Sequence, residues 1–331
     1  MKTIVLAGRR LFMKWDNIAY FEERAKEANA AIVPVRSEDE NDFRSAVKDA
    51  SAIIVIAKTI SREAIESLSR CELILTLSVG HDCVDVNAAT KRGIPVSNVP
   101  AYCTDDVANH SMSLLMAVAR KLTLLNHETK HTRWDYNVAK PIYTFRGKCL
   151  GLIGLGKIGR AIVPKAKGLG MQVAAYDPYV HDDIFQLLDV KREYELNEML
   201  KNSDYISIHA PLTPETYHLL DKKALGLLRK HVVIVNTSRG NIIDEQALYE
   251  SLKSGRVAGA GIDVMSSEPP DESFSLLYLD NALVTPHIAW YSEESLERVR
   301  IQGMDETVNV LNGKRPRYIV NPEVFGFSNT D

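Results

Sequence analysis

Three side chains able to carry acid–base and anion chemistry each follow an apolar run: Arg239 in "VVIVNTSRG", Glu268 in "GAGIDVMSSEPP" and His287 in "ALVTPHIAW". A guanidinium can grip a carboxylate through two parallel hydrogen bonds and polarise an adjacent carbonyl. An imidazole can give a proton to a carbonyl oxygen, or take one from the corresponding alcohol. A carboxylate beside it can hold one tautomer and stabilise the protonated ring, each pKa unit of such help being worth ~1.4 kcal/mol. Together they suit reduction of a carbonyl that neighbours a carboxylate, and the reverse oxidation. Taken singly, each has a plainer reading as a solvated charge or a structural histidine; their shared position on loops after strands argues for a site.

A second constellation, "GLIGLGKIGR", sets Gly154, Gly156 and Gly159 in a G-x-G-x-x-G pattern. Such glycines also mark ordinary turns, so context decides. Here an apolar run precedes them and a helical pattern, "IGRAIVPKAKGLG", follows. In that setting Gly154 permits a tight turn, Gly156 lets backbone approach a pyrophosphate, and Gly159 lets helix and strand pack closely. The helix N-terminus attracts the phosphates. Asp177 ends the next strand, near the roughly twenty-residue offset of an acid that accepts hydrogen bonds from an adenosine ribose. A carboxylate there repels a 2′-phosphate, and Pro178 rather than an arginine follows it. The cofactor expected is therefore NAD(H) rather than NADP(H).

Positioning these groups requires a sheet whose strand ends converge. "TIVLAG", "AIVPV", "AIIVIAK", "LILTLS" and "IPVSNV" read as strands, separated by amphipathic stretches such as "YFEERAKEAN" and "SREAIESLSR". One long helical pattern then runs from Thr104 to about Thr129, with Thr104 suited to cap it and Asp105 and Asp106 suited to the positive end of its dipole. The alternation restarts with six strand candidates, "KCLGLIGLG", "QVAAYD", "YISIHA", "HVVIVNT", "VAGAGIDV" and "NALVTPH". Strands alternating with helices imply parallel sheets covered on both faces. The expected fold class is α/β, with two doubly wound domains. A Rossmann NAD-binding domain is expected over 99–287. A discontinuous, flavodoxin-like substrate-binding domain is expected over 1–98 and 288–331, because the last helix, "SEESLERVRIQGMDETVNVLNG", returns to it. A cleft would lie between the two.

The 331 residues are ample for two cores, with 45% apolar and 25% charged types. A net charge of −3 excludes a polybasic nucleic-acid binder as the default. Cys71, Cys83, Cys103 and Cys149 form no Cys-x-x-Cys pair, so neither a disulfide framework nor a zinc ribbon is expected. The opening apolar run is too short for a signal peptide, and "SLLMAVARKLTLL" is too short and too charged for a membrane span. A cytoplasmic protein without membrane or nucleic-acid partners is the working expectation.

"GLGKIGR", "NTSRG", "IDVMSSEPP" and "TPHIAW" resemble, in order and spacing, the motifs of the NAD-dependent D-isomer-specific 2-hydroxyacid dehydrogenases. That resemblance spans nearly the whole chain. It implies Arg239 as binder of the substrate carboxylate, Glu268 as partner of the histidine, and His287 as proton donor and acceptor. It implies cofactor contacts from Lys157, Ile158, Asp177 and Ala210, with Thr237, Ser238, Asp263 and His287 lining the nicotinamide side. "LSVGHDCVDVNAATKRGIPVSNVP" resembles the family's substrate loop. There Val79 and Gly80 would offer backbone N–H groups to the substrate, with Val79 also near the nicotinamide. Thr104 would lie beside the cofactor phosphates. Lys58 ends "AIIVIAK" and would face the same cleft as a substrate contact, or stay solvated. A homodimer joined through the nucleotide domains is the implied assembly.

Two features depart from the common pattern. Trp290, in "HIAWYSEE", stands where many members carry a small residue; it would narrow the substrate pocket or pack a lid. Asn109 replaces a common glutamate before His110. A similar "AWYS" run occurs in the C-terminal-binding proteins, so an NAD-responsive, corepressor-like binding protein is the alternative function. Phosphite or formate oxidation on the same fold is a third reading. The substrate expected is a small 2-oxo or D-2-hydroxy acid of the hydroxypyruvate, glyoxylate or phosphoglycerate type. "HETKH" at His127–His131 matches a zinc-protease pattern but has no third ligand at a defined spacing, so no metal is expected.

Overall fold

The computed structural model describes residues 1–8, 18–37 and 39–326. In chain order the elements begin β1 (Lys2–Gly8), α1 (Ile18–Lys26), β2 (Ala30–Val35), α2 (Glu40–Val47), β3 (Ala52–Ile56), α3 (Arg62–Ser67), β4 (Leu73–Thr76), α4 (Val86–Lys91) and β5 (Val96–Ser97). Then follow α5 (Thr104–Ala119), α6 (Leu122–Lys130), β6 (Cys149–Ile153), α7 (Lys157–Gly168), β7 (Gln172–Tyr176), α8 (Asp182–Leu187), β8 (Lys191–Arg192), α9 (Leu196–Asn202) and β9 (Tyr205–Ile208). The last are α10 (Lys222–Leu227), β10 (Val232–Asn236), α11 (Glu245–Lys253), β11 (Val257–Ile262), β12 (Ala282–Val284) and α12 (Glu293–Leu311). Two compact units divide the chain: Met1–Tyr102 with Ser292–Asp331, and Cys103–Tyr291.

The first unit holds a five-stranded parallel sheet in the order β2-β1-β3-β4-β5, the flavodoxin-like arrangement. Its central strands are continuous apolar runs because helices cover both faces. Val5, Ile53, Val55 and Ile74 pack on one side with Phe43 and Val47 of α2 and Ile65 of α3. Short helices start on side-chain caps: Ser61 accepts the Ala64 N–H and Asp85 the Ala88 N–H, each worth about 1 kcal/mol. The helix α12 rejoins this unit by packing on β3 and β4.

The second unit holds a seven-stranded parallel sheet in the order β12-β11-β10-β9-β6-β7-β8. Along β10, Val233 and Val235 enter one core with Leu150, Leu152 and Leu115, while Val232 and Ile234 enter the other with Ile206 and Leu248. That period of two is the pleat of a strand buried on both faces. The strand order reverses between β6 and β9, which is where doubly wound sheets bind ligands.

Two sequence expectations are corrected here. A seventh strand, the two-residue β8, joins the edge; its charged residues carry no strand signal. The long helical pattern from Thr104 breaks into α5 and α6, because Lys121 turns left-handed at φ 52°. The apolar face explains the break: α5 buries Val107, Ala108, Met112, Leu114 and Leu115, whereas α6 buries nothing. Cys103, without a side-chain cap bond, occupies the cap position, and Thr104 is the first helical residue.

Candidate active site

The chemistry-bearing residues of the second unit lie on loops after β6, β7, β9, β10, β11 and β12. The His287 ring is held by Glu268: Nδ1 lies 2.6 Å from Oε2, and both side chains are half-buried. A carboxylate can only accept, so Nδ1 carries the proton and Nε2 is left for a substrate. Burial pushes the Glu268 carboxyl up. The hydrogen bond and charge of His287, the Met265 N–H donated to Oε1 at 3.0 Å and the charge of Arg239 together outweigh burial, so its pKa sits below the usual carboxylate value. Glu268 is therefore ionised near neutral pH.

Arg239 is brought to this pair by backbone keying. Asn236 at the end of β10 accepts the Ser238 N–H at 3.0 Å and donates to the Arg239 carbonyl at 2.9 Å. At Gly240 any Cβ would collide with the backbone of Met265 and Ser266. The loop after β10 thus presses on the loop after β11, and Arg239 shares its electrostatic environment with Glu268.

Asp263, only 1% exposed, holds the histidine loop. Its Oδ1 accepts the Thr285 hydroxyl at 2.6 Å and the Ile288 N–H at 2.9 Å, and its Oδ2 accepts the Ala289 N–H at 2.9 Å. The hydroxyl of Thr285 is committed to Asp263, so its oxygen accepts from His110 Nε2 at 3.1 Å. A chain from His110 through Thr285 to Asp263 results. Sequence reading missed this chain, because it depends on α5 passing behind the sheet. The Asp263 carboxylate thus clamps the histidine loop, a role the sequence does not announce.

The glycine-rich turn has the features a dinucleotide needs. Gly154, at φ 96°, would place a Cβ 2.8 Å from the Ala210 nitrogen; Gly159 abuts the Gly154 carbonyl; at Gly156 a Cβ would meet nothing within 4 Å. Gly156 also starts α7 without a side-chain cap, leaving N–H groups for an anion. Asp177 accepts the Leu155 N–H at 2.8 Å and the Tyr179 N–H at 3.0 Å, which ties the acid to the turn. Lys157 is exposed and Ile158 and Ala210 are partly buried beside the turn. Thr237 bonds Ser111 of α5 at 2.8 Å, and Ser238 donates to the Ile208 carbonyl at 3.0 Å.

His209 was also missed. The residue as a whole is partly covered, but its Nδ1 is sealed from solvent without a partner among the described residues. Its Nε2 lies 2.7 Å from the Ser207 hydroxyl. Burial pushes its pKa down to about 3, so the ring is neutral. The open space at Gly156 and the uncapped N-terminus of α7 fit a bound dinucleotide.

The remaining expected residues fall elsewhere. Trp290 is half-buried, its ring edge-on to Tyr291 at 5.5 Å. Lys58, Val79 and Gly80 lie in the first unit, after β3 and β4. In "HETKH", His131 Nδ1 lies 2.8 Å from the His127 carbonyl oxygen, as in an ordinary helix end.

Residues 112–289 match the family described as D-isomer specific 2-hydroxyacid dehydrogenase, NAD binding domain. A D-3-phosphoglycerate dehydrogenase of Methanocaldococcus jannaschii is 38% identical over 276 residues, which cover 83% of this chain and 52% of that protein. The chain thus spans about half the length of that relative. A glyoxylate reductase of Korarchaeum cryptofilum is 36% identical over 283 residues, covering 84% of this chain and 85% of its own length. The crystal structure of a D-lactate dehydrogenase from Aquifex aeolicus, complexed with NAD and lactic acid, superposes with a TM-score of 0.84 at 27% identity, covering 94% of this chain and 96% of that one. With its Rossmann sheet, its glycine-rich turn and its paired histidine and glutamate, the chain belongs to the D-isomer specific 2-hydroxyacid dehydrogenase family.

Proposed function

We propose that this chain interconverts a small 2-oxo acid and its D-2-hydroxy acid, with a substrate of the glyoxylate, hydroxypyruvate or phosphohydroxypyruvate type. The observation that carries the reading is the 2.6 Å pair of His287 and Glu268 beside Arg239. NAD(H), when bound, takes up or supplies the hydride. Arg239 binds the substrate carboxylate and polarises the neighbouring carbonyl. In reduction, protonated His287 donates from Nε2 to the carbonyl oxygen; in oxidation, neutral His287 accepts the alcohol proton there. Glu268 keeps the ring in the tautomer that serves both directions.

The first unit is assigned the substrate role, with the Val79 and Gly80 N–H groups completing the carboxylate site. Gly154, Gly156, Lys157, Ile158, Gly159, Asp177 and Ala210 are assigned to the adenosine and phosphates, with Thr104. Val79, Thr237, Ser238, Asp263 and His287 are assigned to the nicotinamide. Trp290 bounds the substrate pocket.

The assembly proposed is a homodimer through the second unit. Support comes from α6, which buries nothing, and from the neighbouring Trp134 and Tyr136, which are 91% and 72% exposed. Apolar surface of this kind marks an interaction face. No helix among the described residues is long and apolar enough to cross a membrane, and the cytoplasm is the proposed location.

The test is NADH oxidation with glyoxylate, hydroxypyruvate, pyruvate and phosphohydroxypyruvate, in the native chain and in His287→Ala. Turnover that falls by at least ~10²-fold in the variant is expected of a lost general acid. Absence of turnover with every 2-oxo acid, or a variant as active as the native chain, would refute the assignment. Cofactor-dependent capture of a peptide partner without turnover would instead favour the corepressor-like alternative.

A further inference from the structure

Helix α5 lies close against strand β11, and two glycines permit it. A Cβ added at Gly261 would lie 2.8 Å from the Leu114 Cβ, and one added at Gly259 would lie 2.5 Å from the Val118 Cγ1. Alternate residues of a strand share a face, as do residues four apart on a helix. Two strand residues advance about 6.6 Å and four helical residues about 6 Å, so the two repeats stay nearly in step. The pairings run antiparallel, 118 with 259 and 114 with 261. One further step pairs 110 with 263. That step carries His110 to Asp263, with Nε2 3.6 Å from Oδ1.

At this end of α5 two successive side chains hold two different loops. His110 Nε2 donates to the Thr285 oxygen at 3.1 Å, the Thr285 hydroxyl itself being committed to Asp263. Thr285 lies two residues before His287. Ser111, 1% exposed, donates its hydroxyl to the Val107 carbonyl at 2.7 Å. A hydroxyl has one proton, so in the 2.8 Å contact between Ser111 and Thr237 the Thr237 hydroxyl is the donor. Thr237 lies two residues before Arg239. Strands β10 and β12 are not neighbours in the sheet, because β11 separates them. Consecutive helical residues point about 100° apart, which lets His110 serve the loop after β12 while Ser111 serves the loop after β10.

We propose that α5 is the template that fixes the spacing between guanidinium and imidazole: His110 is a positioning residue for His287, and Ser111 is one for Arg239. This inference rests on the proposed function for the roles of Arg239 and His287. The two residues carry different kinetic signatures. A displaced His287 weakens proton transfer, which occurs only in the transition state, and so lowers kcat. A displaced Arg239 loosens a carboxylate held in ground and transition states alike, and so raises KM.

The experiment measures kcat and KM at saturating NADH, with glyoxylate or hydroxypyruvate, in the native chain, His110→Leu, His110→Gln and Ser111→Ala. In His110→Leu, kcat should fall at least ~10-fold with KM nearly unchanged, as a small misplacement of a reacting group does. His110→Gln keeps an N–H donor near the same point and should recover most of that loss. In Ser111→Ala, KM should rise by about 10-fold, the worth of one hydrogen bond, with kcat nearly unchanged. Native kinetics in His110→Leu overturn the proposal. So does an equal loss of kcat in His110→Leu and Ser111→Ala that follows their melting temperatures and leaves KM unmoved, because that is a merely structural effect. A second readout needs no turnover. The ring proton that His287 shares with Glu268 should give a far-downfield proton resonance, identified by its loss in His287→Ala. It should persist in His110→Gln and shift or broaden in His110→Leu. A resonance that depends on His110 in a chain that turns over no 2-oxo acid would keep the template and remove the proposed reaction. Turnover by the native chain, with resonance and kcat indifferent to His110, would do the opposite.

Discussion

The backbone carbonyl of Asp263 accepts the His287 N–H at 2.8 Å, while the Asp263 carboxylate holds the two N–H groups that follow. His287 sits at φ 51°, a conformation that costs an L-residue about 1–2 kcal/mol. The clamp maintains it. In Asp263→Asn one acceptor oxygen becomes an NH2 group that faces a donor whichever way the amide turns. Folding stability should fall by about 1–3 kcal/mol, read by thermal unfolding. The kcat should fall with it, because the imidazole loses its fixed place. An Asp263→Asn protein with native stability and native kcat would contradict the clamp.

The glycines of the cofactor turn should separate binding from folding. Gly156→Ala adds a methyl group where nothing of the chain lies within 4 Å. Its melting temperature should match the native chain while its Kd for NADH rises at least ~10-fold, from crowding of the phosphates. Gly159→Ala drives its methyl against the Gly154 carbonyl and should lower the melting temperature itself. Calorimetry on both variants, with and without NADH, checks the pair; equal effects would refute the distinction.

Asp177 should govern cofactor choice. Asp177→Ala removes the carboxylate proposed to face the ribose and leaves the Leu155 and Tyr179 N–H groups without their acceptor. The NADH KM should rise more than the NADPH KM, narrowing the preference by about tenfold, the worth of one charge-assisted hydrogen bond. Parallel increases for both cofactors would reduce Asp177 to a brace for the turn.

Two groups make the fold acid-sensitive in overlapping windows. The unfolded His209 binds a proton near pH ~6.5, whereas the folded ring does so only near about 3. Between those values the unfolded chain holds the extra proton, so stability falls as pH is lowered. Glu268, held below its ordinary value, keeps its contribution above the unfolded range near ~4.3 and loses it as pH falls through the lower folded value. Urea unfolding against pH should show His209→Asn flattening the curve from pH ~6.5 down to about 3, and Glu268→Gln flattening it only below pH ~4.3. Superimposable curves for the native chain and His209→Asn would show that the ring titrates normally.

Much of this was legible in the sequence because parallel strands buried on both faces leave continuous apolar runs, as in "VVIVN" and "AIIVI". The three glycines could be given separate roles because each role has its own geometric demand. What was hidden depends on tertiary contact. Two charged residues at a sheet edge announce no strand, and Lys121 turns left-handed without a glycine or asparagine to signal it. The link from His110 to Asp263 needs α5 to cross the sheet, which no local pattern encodes. His209 was passed over for its neighbour Ala210 because a histidine at the end of a strand reads as polar trim until its surroundings close over it.

The strand order has an evolutionary corollary. The residues proposed to select the dinucleotide hang from β6 and β7, on one side of the point where the sheet reverses. Those proposed to bind the substrate carboxylate and move the proton hang from β10, β11 and β12 on the other. Drift or design can therefore retune redox-partner preference by recoding 154–180 while the acid–base apparatus is inherited intact, and the two traits need not be acquired together.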